Sequence, residues 1–435
     1  MKCKSFLKIF IPLAIVEFSI IISSFWMLGD YDVKRFNQWS ISEWMINYQG
    51  GFVRRGLIGE ILHQFKFSGG VIPVLYLIVL GLYCIYISIF IANYLVSKIN
   101  STTVLILAIL IPGGIFHMAM GVSFYTRKEI LFLIHFGILC LLYQMICRST
   151  QNHRSIWIAL YGTLVIIGGI CLTLVHEAYL FMAYPITLFL CLILRSENKD
   201  SQLAGIIPFL YALVIPIIFL ICSVNHGDQI TSQAIWDSYQ LSDRLILASK
   251  APYTSSYATA GIGWGLMQHL STLYGVFITG TWAYWIFFWL VNGCVLVSIA
   301  SRISLERIPS IDYAKDDDVV IKKRIVFVAS IAFGFLISSS MFFIASDYGR
   351  WIACASNLTL LLSFSIQESP YLMRLSDRLQ NNYIYIFKRL LQIAISPILL
   401  FTLLLYEVIF QMPECCLGGS EFLMRYDKFL FLFIK

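Results

Sequence analysis

Charge is what this sequence has least of. Only 13% of its 435 residues are Asp, Glu, Lys or Arg, whereas 59% are hydrophobic and the mean hydropathy is +0.79. Soluble domains carry roughly a quarter charged residues, so a water-soluble globular class is excluded. Cysteine is present but unorganised: the eleven residues include no C-x-x-C, Cys415 and Cys416 are adjacent, and most of the others fall inside apolar runs as small fillers. That pattern excludes a disulfide framework and a zinc site, and no metal or cofactor is expected. No A-x-A-like cleavage site follows the first apolar run, so that run reads as a retained span. No internal repeat and no soluble-domain boundary is visible. The net charge of +7 is spread over many short segments, which gives no nucleic-acid footprint.

What the sequence has is apolar length. A bilayer core is crossed by about 20 apolar residues in a helix. Such runs occur at about 6–28, 71–96, 102–121, 130–147, 156–175, 178–194, 205–223, 273–300, 325–345, 352–367 and 390–411. The expected fold is therefore all-α, a single polytopic membrane domain over 1–435 with about eleven transmembrane helices. Lys2, Lys4 and Lys8 precede the first run and place the N-terminus in the cytoplasm by the positive-inside rule. Alternation then puts 97–101, 148–155, 195–204, 301–324 and 368–389 on the same side; with the N-terminus they hold 18 of the 31 lysines and arginines. The run Asp316-Asp317-Asp318 in the largest of these loops reads as a solvated face. The opposite side receives two long loops, 29–70 and 224–272, and the tail 412–435.

The unusual residues sort to that opposite, outer side. "GDYDVKR" (29–35), "GGFVRRGLIGE" (50–60), "SFYTRKE" (123–129), "VHEAY" (175–179) and "SDYGRW" (346–351) all fall at outer ends of spans. Charge at membrane depth costs roughly 2.5–3.5 kcal/mol per residue on insertion scales and usually marks a substrate path. Arg54 and Arg55 follow a glycine pair at the start of a helical pattern, where guanidinium forks and free backbone N–H groups suit an anion; snorkelling to lipid phosphates is the other reading. Arg127 and Lys128 occupy a short turn. Arg350 occupies another, with Asp347 three residues before it, so that pair either binds substrate or ties the hairpin together. Together these residues imply an anionic ligand such as a pyrophosphate. His176 beside Glu177 can act as a general base or cap a helix junction; adjacent helical residues diverge by about 100°, so Glu177 can instead face an arginine. Asp30 and Asp32 are further candidate bases or metal ligands, or else surface-turn residues. His117 and His135 read as hydrogen-bonded core residues. Ser40 and Glu43 stand at capping-box spacing, with Trp39, Trp44 and Tyr48 as interface aromatics, which predicts an amphipathic helix lying on the membrane surface. Trp236, Tyr239, Tyr253, Tyr257 and Trp264 in the second outer loop suit sugar rings.

The span number, the chain length, the large outer loops and the stretches "GGFVRRGL", "HEAYL" and "DYGRW" resemble bacterial membrane proteins of surface-polysaccharide assembly, most of all O-antigen polymerases. The resemblance covers the topology of most of the chain and supplies no motif that assigns residues to roles. It implies a C-type glycosyltransferase architecture in the bacterial inner membrane that joins repeat units carried on undecaprenyl pyrophosphate at the periplasmic face, with membrane lipids and a chain-length regulator protein as partners. On this reading Arg54, Arg55, Arg127, Lys128, Asp347 and Arg350 bind substrate, and His176, Glu177 or Asp30 serves catalysis. The alternatives are a transferase using a polyprenyl-phosphate sugar, with Asp30 or Asp32 essential, and a transporter or flippase of lipid-linked glycan.

Overall fold

A computed structural model describes residues 38–115, 118, 125–247, 258–264, 266–308, 318–345, 347–367, 369–378 and 384–409. The expected span at 6–28, Asp30, Asp32, His117, Tyr253, Tyr257, Asp316, Asp317 and the tail 412–435 lie outside the described residues.

All regular structure among the described residues is helical. In chain order the helices are α1 (Gln38–Trp44), α2 (Leu57–Gln64), α3 (Val71–Val96), α4 (Thr102–Leu110), α5 (Ile130–Arg148), α6 (Gln151–Val175), α7 (Tyr179–Glu197), α8 (Gln202–Val224), α9 (Gln229–Asp237), α10 (Leu241–Ile246), α11 (Ala258–Gly261), α12 (Leu266–Ile278), α13 (Thr281–Arg307), α14 (Asp318–Ser338), α15 (Tyr348–Ser365), α16 (Pro370–Ser376), α17 (Ile384–Ile395) and α18 (Pro397–Ile409). Six of them, α3, α5, α6, α7, α8 and α13, are long and apolar enough to cross a membrane. The pair α17–α18, bent by 54°, adds a seventh if it counts as one span. Pro397 accounts for that bend, because its ring removes a backbone donor and clashes with the preceding turn.

The difference from eleven runs has particular causes. In α14, Lys322, Lys323 and Arg324 crowd the first turns. All of α15 is buried, including Ser356, Asn357, Thr359 and Ser363; it packs against α3, α5, α7, α13 and α14. A helix sheathed by other helices has no lipid-facing surface to keep apolar, so its sequence is more polar than a span's.

The run at 102–121 is not one helix. Ser101 caps α4 by accepting the Val104 amide, but Pro112 disfavours helical backbone at Ile111, which is extended at ψ 132°. Nine residues rise only about 14 Å, less than half of a bilayer core, so the turn at 111–114 lies deep in the bundle. Backbone polar groups there need partners. Asn292 Oδ1 accepts the Gly113 N–H (3.3 Å), and Asn357 Nδ2 donates to the Gly113 carbonyl (2.8 Å). The Tyr86 hydroxyl donates to Asn357 Oδ1 (2.9 Å). Asn357→Leu strands both the carbonyl and the hydroxyl, and a loss of about 1–3 kcal/mol is expected. The check is the thermal midpoint of the purified protein in detergent; an unchanged midpoint contradicts this account of the turn.

The polar turns fall at two ends. At one end, Gln367 donates to the Ser97 carbonyl, Ser369 to Glu197 and Glu306 accepts the Asn100 amide. At the other, Asp243 accepts the Val71 and Ile72 amides at the start of α3 (2.9 and 3.0 Å), and Asn225 accepts the Arg54 amide (3.0 Å).

The helix expected to lie on the membrane surface is instead built into that second end. Ser40, Ile41, Ser42, Glu43 and Trp44 are buried. Ser40 Oγ meets Thr126 Oγ1 at 2.5 Å rather than capping α1, Ser42 Oγ accepts the Ala258 amide (2.9 Å), and Trp44 Nε1 donates to the Thr126 carbonyl. The capping-box spacing is fortuitous: the seryl and glutamyl side chains are both spent on tertiary partners.

Candidate functional site

The end that holds α1 gathers charged side chains from five separate stretches. The turn before α2 supplies Arg54 and Arg55, the turn before α5 supplies Arg127, Lys128 and Glu129, and the break between α6 and α7 supplies His176 and Glu177. The start of α15 supplies Asp347 and Arg350, and α1 itself supplies Glu43.

Glu177 is the anchor for the arginine pair. Arg55 Nε donates to Glu177 Oε1 and Oε2 at 2.8 Å each, with Nη2 also on Oε1. Arg54 Nη1 lies 3.5 Å from Oε1. Arg54 Nη2 donates to the carbonyls of Gly261 (3.1 Å) and Trp264 (2.9 Å), which ties the second long loop to the cluster. Glu43 lies at the centre: its oxygens are 3.3 Å from Arg55 Nη1, 3.5 Å from Arg127 Nη1 and 3.1 Å from His176 Nε2. Asp347 Oδ2 is shared by Arg127 Nη2 (3.4 Å) and Arg350 Nε (3.1 Å), and Glu129 Oε1 faces Arg350 Nη1 at 3.3 Å. The Asp347–Arg350 pair does tie its own hairpin, and it also reaches across to Arg127.

Most of these groups are buried, Arg55 and Glu177 nearly so, and their neighbours decide their charge. Burial alone would raise the Glu43 carboxyl, yet His176, Arg127 and Arg350 hold it well below the usual carboxylate range. Burial also opposes ionisation of Glu177, and Arg55 leads the cations that overcome it. Burial disfavours a charged Arg55, but Glu177 and Glu43 keep its guanidinium more basic than usual. Arg54 is shifted down by burial. Arg55 has φ +65°, a left-handed backbone that costs a side-chain-bearing residue about 1–3 kcal/mol and that the surrounding pairs hold in place.

Lys128 differs from the others. Its ammonium is buried and donates to the carbonyls of Arg55 (3.0 Å) and Val175 (3.3 Å), not to a carboxylate. Burial pulls it down from 10.5 to about 8. Between those values the unfolded chain holds the proton and the folded chain does not, so this group makes stability rise with pH from about 8 to 10.5; below 8 the buried charge is a constant penalty. The thermal midpoint of the wild type should therefore rise, relative to that of Lys128→Met, between pH 7.5 and 9.5. Parallel profiles for the two proteins would refute the assignment.

Both ring nitrogens of His176 have polar neighbours. Nδ1 accepts the Ala178 amide (3.1 Å), which requires that nitrogen to be unprotonated, and Nε2 points at Glu43. Glu177 faces the arginines, and its nearest approach to the ring is 3.8 Å.

His176, Glu177, Arg54, Arg55, Arg127, Lys128, Asp347 and Arg350 thus converge, while Asp30 lies outside the described residues. Glu43 and Glu129 are the members that sequence reasoning missed. The signal was available: buried cations require carboxylates, and Glu129 directly follows Arg127-Lys128. The described loop aromatics are packed on protein: Trp236 and Tyr239 are buried against each other at 5.7 Å, and Trp264 lies 5.3 Å from Trp39. His135 is a core residue, with Nε2 at 3.0 Å from the Leu164 carbonyl. Among the described residues no three His, Cys, Asp or Glu side chains are grouped to hold a metal ion.

A family model described as "uncharacterised membrane protein Rv1490" matches residues 11–229, half of the chain. No curated protein and no solved structure matches it.

Proposed function

The chain belongs to that Rv1490 family of membrane proteins, and from this premise we propose that it is an extracytoplasmic glycosyltransferase acting on lipid-linked glycan, a polymerase of oligosaccharide repeat units. The observation that carries the reading is the convergence of charged groups from five stretches into one buried cluster at a single end of an apolar bundle. Lys98, Arg148, Arg154, Arg195, Arg307 and Arg374 flank the helices at the other end. By the positive-inside rule that end is cytoplasmic in a bacterial inner membrane, which makes the cluster extracytoplasmic; Lys2, Lys4 and Lys8 assign the N-terminus to the cytoplasmic side by the same rule.

The cluster is suited to hold a polyprenyl pyrophosphate. Five cations (Arg54, Arg55, Arg127, Lys128 and Arg350) meet four carboxylates (Glu43, Glu129, Glu177 and Asp347), and Lys128 is the cation with only carbonyls as partners. A pyrophosphate would take Lys128 and compete with Glu177 and Asp347 for the guanidinium forks. Negative charge developing on the departing pyrophosphate is stabilised by the same groups, fixed beforehand in a water-poor site. A carboxylate released from its arginine, Glu177 first, becomes free to accept the proton of the attacking sugar hydroxyl.

A transporter or flippase of lipid-linked glycan is the second reading. The unwound turn at 111–114, deep in the bundle and held by Asn292 and Asn357, favours it, since discontinuous helices line many transport sites.

The deciding experiment is the surface-glycan ladder of a deletion strain, rescued with wild type or with Lys128→Gln, which keeps donors for the two carbonyls but removes the charge. Single repeat units in the deletion strain, restored to a ladder by wild type and not by the variant at equal protein level, are expected. An intact ladder in the deletion strain defeats the polymerase reading, and loss of all surface glycan points to the flippase or an earlier transferase.

A further inference from the structure

At the end opposite the charge cluster, α3, α5 and α6 leave a cleft of about 660 Å³. Its rim is polar, formed by Arg148, Ser149, Thr150 and His153. Its floor is apolar, formed by Val96, Met145, Ile156 and Trp157. Among the described residues no carboxylate lines it. The arrangement runs from polar to apolar toward the bundle middle, because Met145 lies a turn inside the end of α5 and Ile156 and Trp157 lie a turn or more inside the start of α6.

Three features point to a ligand. Arg148 Nη2 donates to the Val96 carbonyl (2.5 Å), which fixes the guanidinium at the mouth. The 25-residue helix α6 begins at the rim, and its N-cap Thr150 makes no side-chain capping bond, so the positive helix end is left for an anion. Gln144 borders the cleft, is 4% exposed, and its Oε1 has no hydrogen-bond partner while Nε2 is held by Asn93 Oδ1 (3.0 Å). An acceptor left over beside a cationic rim matches a ligand that brings both a phosphate and a hydroxyl.

We infer that this cleft binds one anionic phospholipid of the phosphatidylglycerol type, with its phosphate at Arg148, His153 and the start of α6, a headgroup hydroxyl donating to Gln144, and an acyl chain along Met145, Ile156 and Trp157. Basic pockets between membrane helices bind anionic headgroups by the same combination of charge and apolar wall. The assignment is independent of the glycan reading, since it uses none of the residues of the charge cluster.

The test uses the full chain in a neutral detergent, titrated with phosphatidylglycerol, phosphatidylcholine or inorganic phosphate, and reads lipid retention by native mass spectrometry beside the thermal midpoint. Phosphatidylglycerol should be retained roughly tenfold better than phosphatidylcholine, and Arg148→Gln, which keeps a donor for Val96, should abolish most of that preference. Thr150→Asp is the companion variant: aspartate is a good N-cap, so α6 is not weakened, but its charge at the rim should expel the phosphate. Lys199→Ala removes a cation at the same end but outside the cleft and should change nothing. Equal retention of the two lipids, equal stabilisation by inorganic phosphate alone, or equal losses in Lys199→Ala and Arg148→Gln would each overturn the inference.

Discussion

Glu177→Ala is expected to destabilise the protein by about 3–5 kcal/mol, the range found when one member of a buried ion pair is removed. The carboxylate takes three of the contacts that keep Arg55 ionised out of water and also faces Arg54. Without it, Arg55 retains Glu43 at 3.3 Å, but Glu43 already serves Arg127 and His176. Arg55 would also stay in a left-handed backbone with fewer contacts to hold it there. Glu177→Gln preserves shape and should lose nearly as much, because an amide cannot neutralise a guanidinium. The double variant Arg55→Ala/Glu177→Ala should recover part of the loss, since the stranded cation is gone. Thermal unfolding in detergent and folded yield are the measurements; if the single variant unfolds at the wild-type temperature, the pairing does not hold the cluster together. Glu177 is held below its ordinary value of 4.5. Its contribution is therefore full above that pH and is lost only as the pH falls through the lower folded value. Wild type should keep its stability down to pH 5.

Gly59→Ala is expected to be as damaging, through packing rather than charge. A Cβ on Gly59 would stand 1.9 Å from the Ile46 carbonyl oxygen and 2.8 Å from that of Trp44. Both obstacles are backbone, so no rotamer change relieves them, and α2 must move away from the segment that follows α1. Overpacking a rigid site costs about 1–3 kcal/mol and occasionally more; here two elements have to separate. The shift also disturbs Glu60, whose Oε2 accepts the Tyr48 amide at 3.0 Å, and the turn that presents Arg54 and Arg55. The fraction of full-length protein that elutes as a folded monodisperse species should fall sharply in Gly59→Ala. Normal recovery together with a wild-type thermal midpoint would show that α2 and the 44–46 backbone are not locked.

The acids that complete the cluster show what limits a sequence reading of such a site. Arg54, Arg55, Arg127, Lys128 and Arg350 stand out because cations away from the main basic loops are rare in an apolar chain. Glu43 does not stand out, since Ser40 and Glu43 match a local capping pattern equally well, and only the docking of α1 against the 125–129 turn reveals that both side chains are used elsewhere. The described loop aromatics show a similar limit: an exposed ring and a ring packed on another loop have the same composition, and Trp264 is of the second kind.

By itself the sequence determined that this is a helical membrane protein, because so few charged residues in such long apolar runs leave no other stable arrangement. It also determined that the charged turns share one end, because each crossing reverses the side and parity survives errors in the exact limits of a helix. Only the tertiary structure decided that α15 runs through the middle of the bundle, that α4 stops at Pro112 on a turn held by Asn292 and Asn357, and that each arginine meets a carboxylate. The physical reason is that lipid and protein interiors are equally apolar. Hydropathy therefore registers that a segment leaves water, but not which neighbour replaces it.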